Sequence, residues 1–182
     1  MYLLTETASP FALERWAAFF ANFGQFAKGF FYTLGISIGA LIVALLLGLI
    51  FGAMSSTHNK VLRGISRVYV EIFQNTPLLV QFVVVFYGIS TLTDGHVIIP
   101  ISMTPILCVG VYTGAYISEI IRTGIEAVPK GQTEAALSQG FTYADTMRII
   151  ILPQAVRTIL PPLTNQVVNL IKNTSTVAII SG

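Results

Sequence analysis

Asn165, Asn169, Lys172 and Thr176 recur at steps of four, three and four near the end of the chain, a spacing that puts all four on one helical face. The helix that would carry them is largely apolar, so the face is a polar stripe. Such side chains can hydrogen-bond and charge-pair with a small polar solute, but they are not equipped to break its bonds. Two more polar residues stand inside apolar blocks, the carboxylate of Glu119 and the amide of Gln81. Polar groups at membrane depth are costly and normally face a bundle interior or a wet path, which makes all of these candidates for a substrate path. Each has a plainer alternative. The asparagines, Thr176 and Gln81 can join helices by hydrogen bonds, Lys172 can snorkel to an interface, and Glu119 can pair with Arg122 three residues on.

Catalysis has no comparable footing. No catalytic residue is assigned, because no nucleophile–base pair or metal-ligand cluster occurs at a recognisable spacing. His58 and His96 stand apart without ligand neighbours, so no metal is expected. Cys108 is the single cysteine and is expected to pack rather than react. A phosphate-binding loop of the form G-x-x-x-x-G-K-[ST] is missing, so no cofactor is expected on this chain itself.

The elements that would position these residues follow from composition. Hydrophobic residues make up 54% of the 182 and charged residues only 10%, against roughly 25% charged in a soluble domain. The apolar residues gather into blocks near the ~20 residues a spanning helix needs. The expectation is an all-α, polytopic transmembrane helical bundle with spans at about 29–55, 72–93, 104–122 and 154–180. In the second block Thr76 is expected to cap a helix opened by Pro77, and in the third Thr104 to cap one opened by Pro105. The fourth, taken with the "IIILP" that leads into it, holds Arg157, Lys172 and three prolines, so it reads poorly as a lipid-facing helix and should sit inside an assembly.

Residues 1–28 lack the pattern of a removable signal. The Ser9-Pro10 pair and the aromatics after it predict an N-terminal interfacial segment resting on membrane lipid, with a mobile tail as the alternative. Glycines four apart, Gly35 and Gly39, Gly48 and Gly52, Gly110 and Gly114, predict close helix packing.

Lys60, Arg63 and Arg67 follow the first span and Arg122, Lys130 and Arg148 the third, while the connection after the second carries no Lys or Arg. By the positive-inside rule the first and third connections are cytoplasmic and the N-terminus lies outside. A net charge of +2 gives no reason to expect nucleic acid as a partner.

Within the cytoplasmic loop 123–153 stands "EAALSQGFTYADTMRIIILP", Glu134 to Pro153. Thr133 is expected to cap a helix that opens with Glu134, and Gly140 to close it in the left-handed conformation. Thr142 to Asp145 fits a capping box that opens a second helix running into "IIILP". Ala135 and Ala136 are small enough for another surface to approach the backbone. The result would be a compact cytoplasmic knob.

At these residues the sequence resembles the permease subunits of bacterial ATP-binding-cassette importers, whose cytoplasmic loop carries the EAA motif. Glu134, Ala135, Ala136, Gly140, Ile150, Leu152 and Pro153 fall at its spacing. "TLGIS", "NTPLLVQ", "GAYISEIIRTGIEAVPKGQTEAA" and "LPPLTNQVVNLIKNTS" are similar to the branch that handles polar amino acids such as glutamine, glutamate, histidine or arginine. Gln74 and Gln139 depart from that pattern, standing where arginine and leucine are usual.

The resemblance implies the type I importer permease fold, with Gly131, Glu134, Ala135, Ala136 and Gly140 as the ATPase-coupling residues. It implies ATP and Mg on a partner ATPase subunit, an extracellular or periplasmic amino acid-binding protein, and a second permease subunit, identical or different. It places the chain in the bacterial inner membrane as a multi-pass protein. A further spanning helix is expected beyond Gly182, so the chain is expected to be truncated there. The alternatives are an ATP-independent membrane channel or carrier, and a non-transporting membrane subunit.

Overall fold

A chain that must satisfy its backbone without water forms helices or closed barrels. The computed structural model describes residues 13–177, which form helices and their connections with no strand among them. They fall into two compact units that divide between Gly35 and Ile36.

In the first unit α1 (Leu13–Ala21) is followed by the opening turns of α2 (Phe23–Ser55). Phe19 packs its ring 4.8 Å from that of Phe26 and 6.1 Å from that of Phe23, while Trp16, Phe20 and Phe23 are exposed. α2 starts at Phe23, ahead of the expected 29, so Lys28 is helical. Ser9 and Pro10 lie outside the described residues.

In the second unit the segment read as a basic loop is a helix, α3 (Lys60–Asn75). Asn59 caps it, its Oδ1 accepting from the backbone N–H of Val61 at 2.9 Å and of Leu62 at 3.4 Å. The chain then bends by 98° into α4 (Leu78–Val83), which runs through one π turn, Val84–Gly88, into α5 (Ile89–Leu92). Thr76 ends α3 rather than capping α4, and its hydroxyl donates back to the Ile72 carbonyl at 2.7 Å. Pro77 is the residue before α4, since its fixed φ suits an extended ψ of 134° there.

α6 (Met103–Glu126) opens one residue before Thr104, which is buried in the first turn with its hydroxyl turned to the Pro100 carbonyl at 3.2 Å. Thr104 is therefore no cap. After α7 (Lys130–Ser138) and the single turn α8 (Tyr143–Asp145), a π turn Thr146–Ile151 leads into α9 (Leu152–Asn173) and a closing 3-10 turn, Thr174–Val177. The last residues of the expected fourth span, 178–180, lie outside the described residues.

α2 and α6 are each long and apolar enough to cross a membrane, and α3 with α4 and α5 passes as one bent pair. α9 has 22 residues, or about 33 Å at 1.5 Å per residue, but it is not apolar enough to join them. It stays helical through Pro161 and Pro162. One side of it is packed on α6, where the buried Ala155 and Leu170 sit and where Ile159 lies against Gly124.

Small residues set how closely the helices approach. Gly48 and Gly52 of α2 lie under Ile117 and Ile121 of α6, while Gly110 and Gly114 of α6 lie under Val43 and Leu47 of α2. A Cβ on Gly110 would sit 2.8 Å from Val43, and one on Gly52 2.9 Å from Ile121. Ala40, Ala44, Cys108, Val109 and Ile117 fill the seam with Phe82 and Leu170. α3 is tied across it by Tyr69, whose hydroxyl donates to Val111 O at 2.7 Å, and by Ser66, which donates to Phe51 O at 2.7 Å.

Candidate functional site

α7 is bounded by two backbone devices. At its start Pro129, with φ −56° and ψ 132°, delivers an extended chain into Lys130, so Thr133 lies inside the helix and does not cap it. At its end Gly140 adopts φ +86°. Its N–H donates to Leu137 O at 3.0 Å and that of Phe141 to Ala136 O at 3.1 Å, the paired closure that a left-handed glycine permits. Thr142 then caps α8, accepting from Asp145 N–H at 3.2 Å while its hydroxyl donates to Asp145 Oδ2 at 2.6 Å.

Between these stops α7 shows two faces. Gly131, Glu134, Ala135 and Ser138, at steps of three, one and three, are exposed, and Ala136 is buried at 3% exposure. That strip carries one carboxylate and otherwise small side chains, with the exposed Lys130, Gln132 and Leu137 flanking it, so a partner surface can come close to the backbone along the strip. Nothing lies within 4 Å of where a Cβ on Gly131 would stand. Behind α7 is a cavity of about 690 Å³ whose lining includes His58, Glu126, Lys130, Glu134, Tyr143 and Thr146. The Thr146 hydroxyl is buried there with no hydrogen-bond partner.

A second cavity of about 730 Å³ opens between α3 and α6. Its α3 wall is Lys60, Arg63, Arg67, Glu71 and Gln74, at steps of three, four, four and three, and its α6 wall is Glu119, Arg122 and Glu126. Arg67 pairs with Glu71 at 3.5 Å. Arg122 forks between two carboxylates, with both oxygens of Glu119 on one side and Glu126 Oε2 at 2.5 Å on the other. Gln74 donates to Ala115 O at 3.2 Å, closing the deep end. Sequence reasoning missed this α3 wall because its bases served only as topology markers. The signal was present in their spacing, which is that of one helix face.

The six path candidates do not converge. Glu119 lines the charged cavity and is paired with Arg122. Gln81 is buried at the α3–α4 bend, its amide donating to Phe73 O at 3.1 Å and Thr76 O at 3.0 Å. It lines a separate apolar cavity of about 410 Å³ with Val85, Leu107 and Cys108. Asn165, Asn169 and Lys172 are exposed on α9, with Asn169 Nδ2 3.4 Å from Gln166 Oε1. Thr176 falls in the 3-10 turn, where tighter winding carries it off that face, and it is half-buried. Cys108 is buried, its thiol 3.8 Å from Gln81 O. Among the described residues no cluster of His, Cys, Asp or Glu could hold a metal.

The family described as "binding-protein-dependent transport system inner membrane component" matches residues 44–182. The chain is 40% identical over 166 residues to a probable glutamine ABC transporter permease protein, GlnM, of Bacillus subtilis, covering 90% of this chain and 74% of that protein. It is 36% identical over 162 residues to the glutamate/aspartate import permease protein GltJ of Escherichia coli, covering 84% of this chain and 66% of that one. The chain thus spans about two thirds to three quarters of these relatives. A crystal structure of an amino acid ABC transporter superposes with a TM-score of 0.84 at 32% identity, covering 91% of this chain and 76% of its own. The inward-facing MetNI methionine ABC transporter, at 17% identity and a TM-score of 0.72, shares the fold over 88% of this chain and 76% of its own.

Proposed function

The chain belongs to the family of binding-protein-dependent transport system inner membrane components, and on that footing we propose that it is the permease subunit of an ATP-driven importer of polar amino acids. Its role is transport rather than catalysis. The observation that carries the reading is α7, a short helix with a defined start and stop whose exposed face is Gly131, Glu134 and Ala135. In this reading that face docks on a separate ATPase subunit, which binds ATP and Mg and hydrolyses the nucleotide. A second permease subunit completes the path, and an extracellular or periplasmic binding protein delivers the amino acid. The chain lies in the bacterial inner membrane as a multi-pass protein with its N-terminus outside and its aromatic α1 at the lipid interface.

The charged cavity fits the inner part of the path. It offers guanidinium and carboxylate groups a few residues apart, the two charges that a zwitterion needs. The Asn165, Asn169 and Lys172 face of α9 is exposed in the single chain and is available to line the path between subunits. Closure of the ATPases and delivery of the amino acid can shift the permease between states only through contacts that differ between those states.

The test is amino acid-stimulated ATP hydrolysis in proteoliposomes, with the full-length permease assembled with its ATPase and binding protein and polar amino acids screened singly. Stimulation by one of them, lost with Glu134→Lys, is the expected result. A well-assembled complex that no amino acid stimulates would remove the amino acid reading.

A further inference from the structure

Glu126 is the last residue of α6 and lines both cavities described above, the charged one between α3 and α6 and the one behind α7. Its carboxylate sits 2.5 Å from Arg122 Nη1, on the charged-cavity side. Four residues on, past Ala127, Val128 and Pro129, comes Lys130, the first residue of α7. Lys130 lines the same cavity as Glu126 and forms no ion pair among the described residues. One carboxylate is therefore paired with a cation of the charged cavity and shares a second cavity with a cation of the coupling helix.

We infer that Glu126 is a two-position switch, released from Arg122 when the carboxylate of a transported amino acid takes that guanidinium, and then paired with Lys130. The inference rests on the importer reading of α7 and of the charged cavity. An ion pair between partly exposed side chains is weak, so exchange costs little: Glu126 is 60% exposed and Arg122 32%. The guanidinium carries a fixed fork of donors that a carboxylate ligand engages in parallel, which makes an amino acid a direct competitor for it.

The surrounding charges permit the exchange. In the charged cavity Glu119 holds the Nε and Nη2 side of Arg122, so the ligand competes with Glu126 for the Nη1 side. Opposite, Arg67 is paired with Glu71, and Lys60 and Arg63 add positive charge that draws a carboxylate in. In the cavity behind α7 the other carboxylate is Glu134, four residues after Lys130 on the same helix and unpaired with it, so Glu126 meets one competitor for that ammonium. Pairing Glu126 with Lys130 would draw the first turn of α7 toward the end of α6. Occupancy of the path thereby alters how the coupling helix presents itself to the ATPase.

The test uses the assembled complex in proteoliposomes, with L-glutamine, L-glutamate and L-arginine as probes and the ratio of stimulated to unstimulated ATP hydrolysis as the readout. Glu126→Gln and Lys130→Gln are each expected to lower the ratio by about fivefold or more. Glu126→Asp, which keeps the charge, restores it. The double variant is expected to be no worse than either single one, as two partners in one step require. Stimulation of Glu126→Gln equal to that of the unaltered complex overturns the switch, as do Gln and Asp variants that fail alike, or single losses that multiply in the double. If the unaltered complex is itself not stimulated by any probe, the importer reading falls and takes the switch with it. Stimulated unaltered and variant complexes sink the switch alone.

Discussion

Glu134 and Gly140 show how much one side chain, or its absence, can decide. Glu134 is exposed on α7 and makes no ion pair among the described residues, so reversing its charge breaks none. Glu134→Lys is therefore expected to weaken copurification of the ATPase while membrane insertion stays normal. Undiminished copurification would unseat the coupling role of this face. Gly140 is different, because its φ of +86° is strained for any residue with a Cβ. Gly140→Val should cost about 1–2 kcal/mol and loosen the closure of α7, seen as faster proteolytic cleavage between Ser138 and Thr142. The glycine stop was legible in the sequence; Glu134 was expected in the first turn of its helix, which instead opens at Lys130. Gln81 was legible only as a polar residue in an apolar block. Its amide holds two carbonyls at the end of α3, a partner set that no spacing within its own helix reveals.

Among elements, α2 and α6 meet through glycines that each presents to the other. Gly114→Val is expected to destabilise the protein by about 1–3 kcal/mol through overpacking, because a Cβ there meets Tyr69 Oη at 2.8 Å and Leu47 at 3.1 Å. Gly64→Ala is the contrasting substitution: its Cβ would meet nothing within 4 Å, and the helical position gains about 1 kcal/mol in propensity. Thermal unfolding in detergent distinguishes the two, and equal melting temperatures would refute the packing account. The four-residue glycine spacing announced close packing but not its partner. Gly35, with the same spacing to Gly39, has open space where a Cβ would be, so the motif alone selects no seam. α3 was the element least visible beforehand. A cluster of bases just after a span reads as a topological signal, and the amphipathic period inside it is easily passed over.

For the molecule as a whole the polar stripe of α9 is the open face. Asn165, Asn169 and Lys172 are exposed on a helix whose opposite side is packed on α6, so the stripe is available to a solute path or to another subunit. Asn169→Leu is expected to impair amino acid uptake in vesicles while ATPase copurification stays intact. Unchanged uptake kinetics would remove the stripe from the path. No residue of α9 lines the charged cavity, so among the described residues the stripe is a separate polar surface from it.

Features that depend on neighbours along the chain could be read before any fold was known. Apolar blocks long enough to span, the left-handed stop at Gly140, the Thr142–Asp145 cap and the shared face of Asn165, Asn169 and Lys172 follow from a few consecutive residues and the helical repeat. Tertiary structure alone decided which faces meet. The wall of Lys60 to Gln74 opposite Glu119, Arg122 and Glu126, and the clasp of Gln81 on the α3–α4 bend, join residues whose proximity depends on helix bends and packing angles. Those angles come from close packing of small residues across the seam, and no periodicity within one helix encodes its neighbour's position.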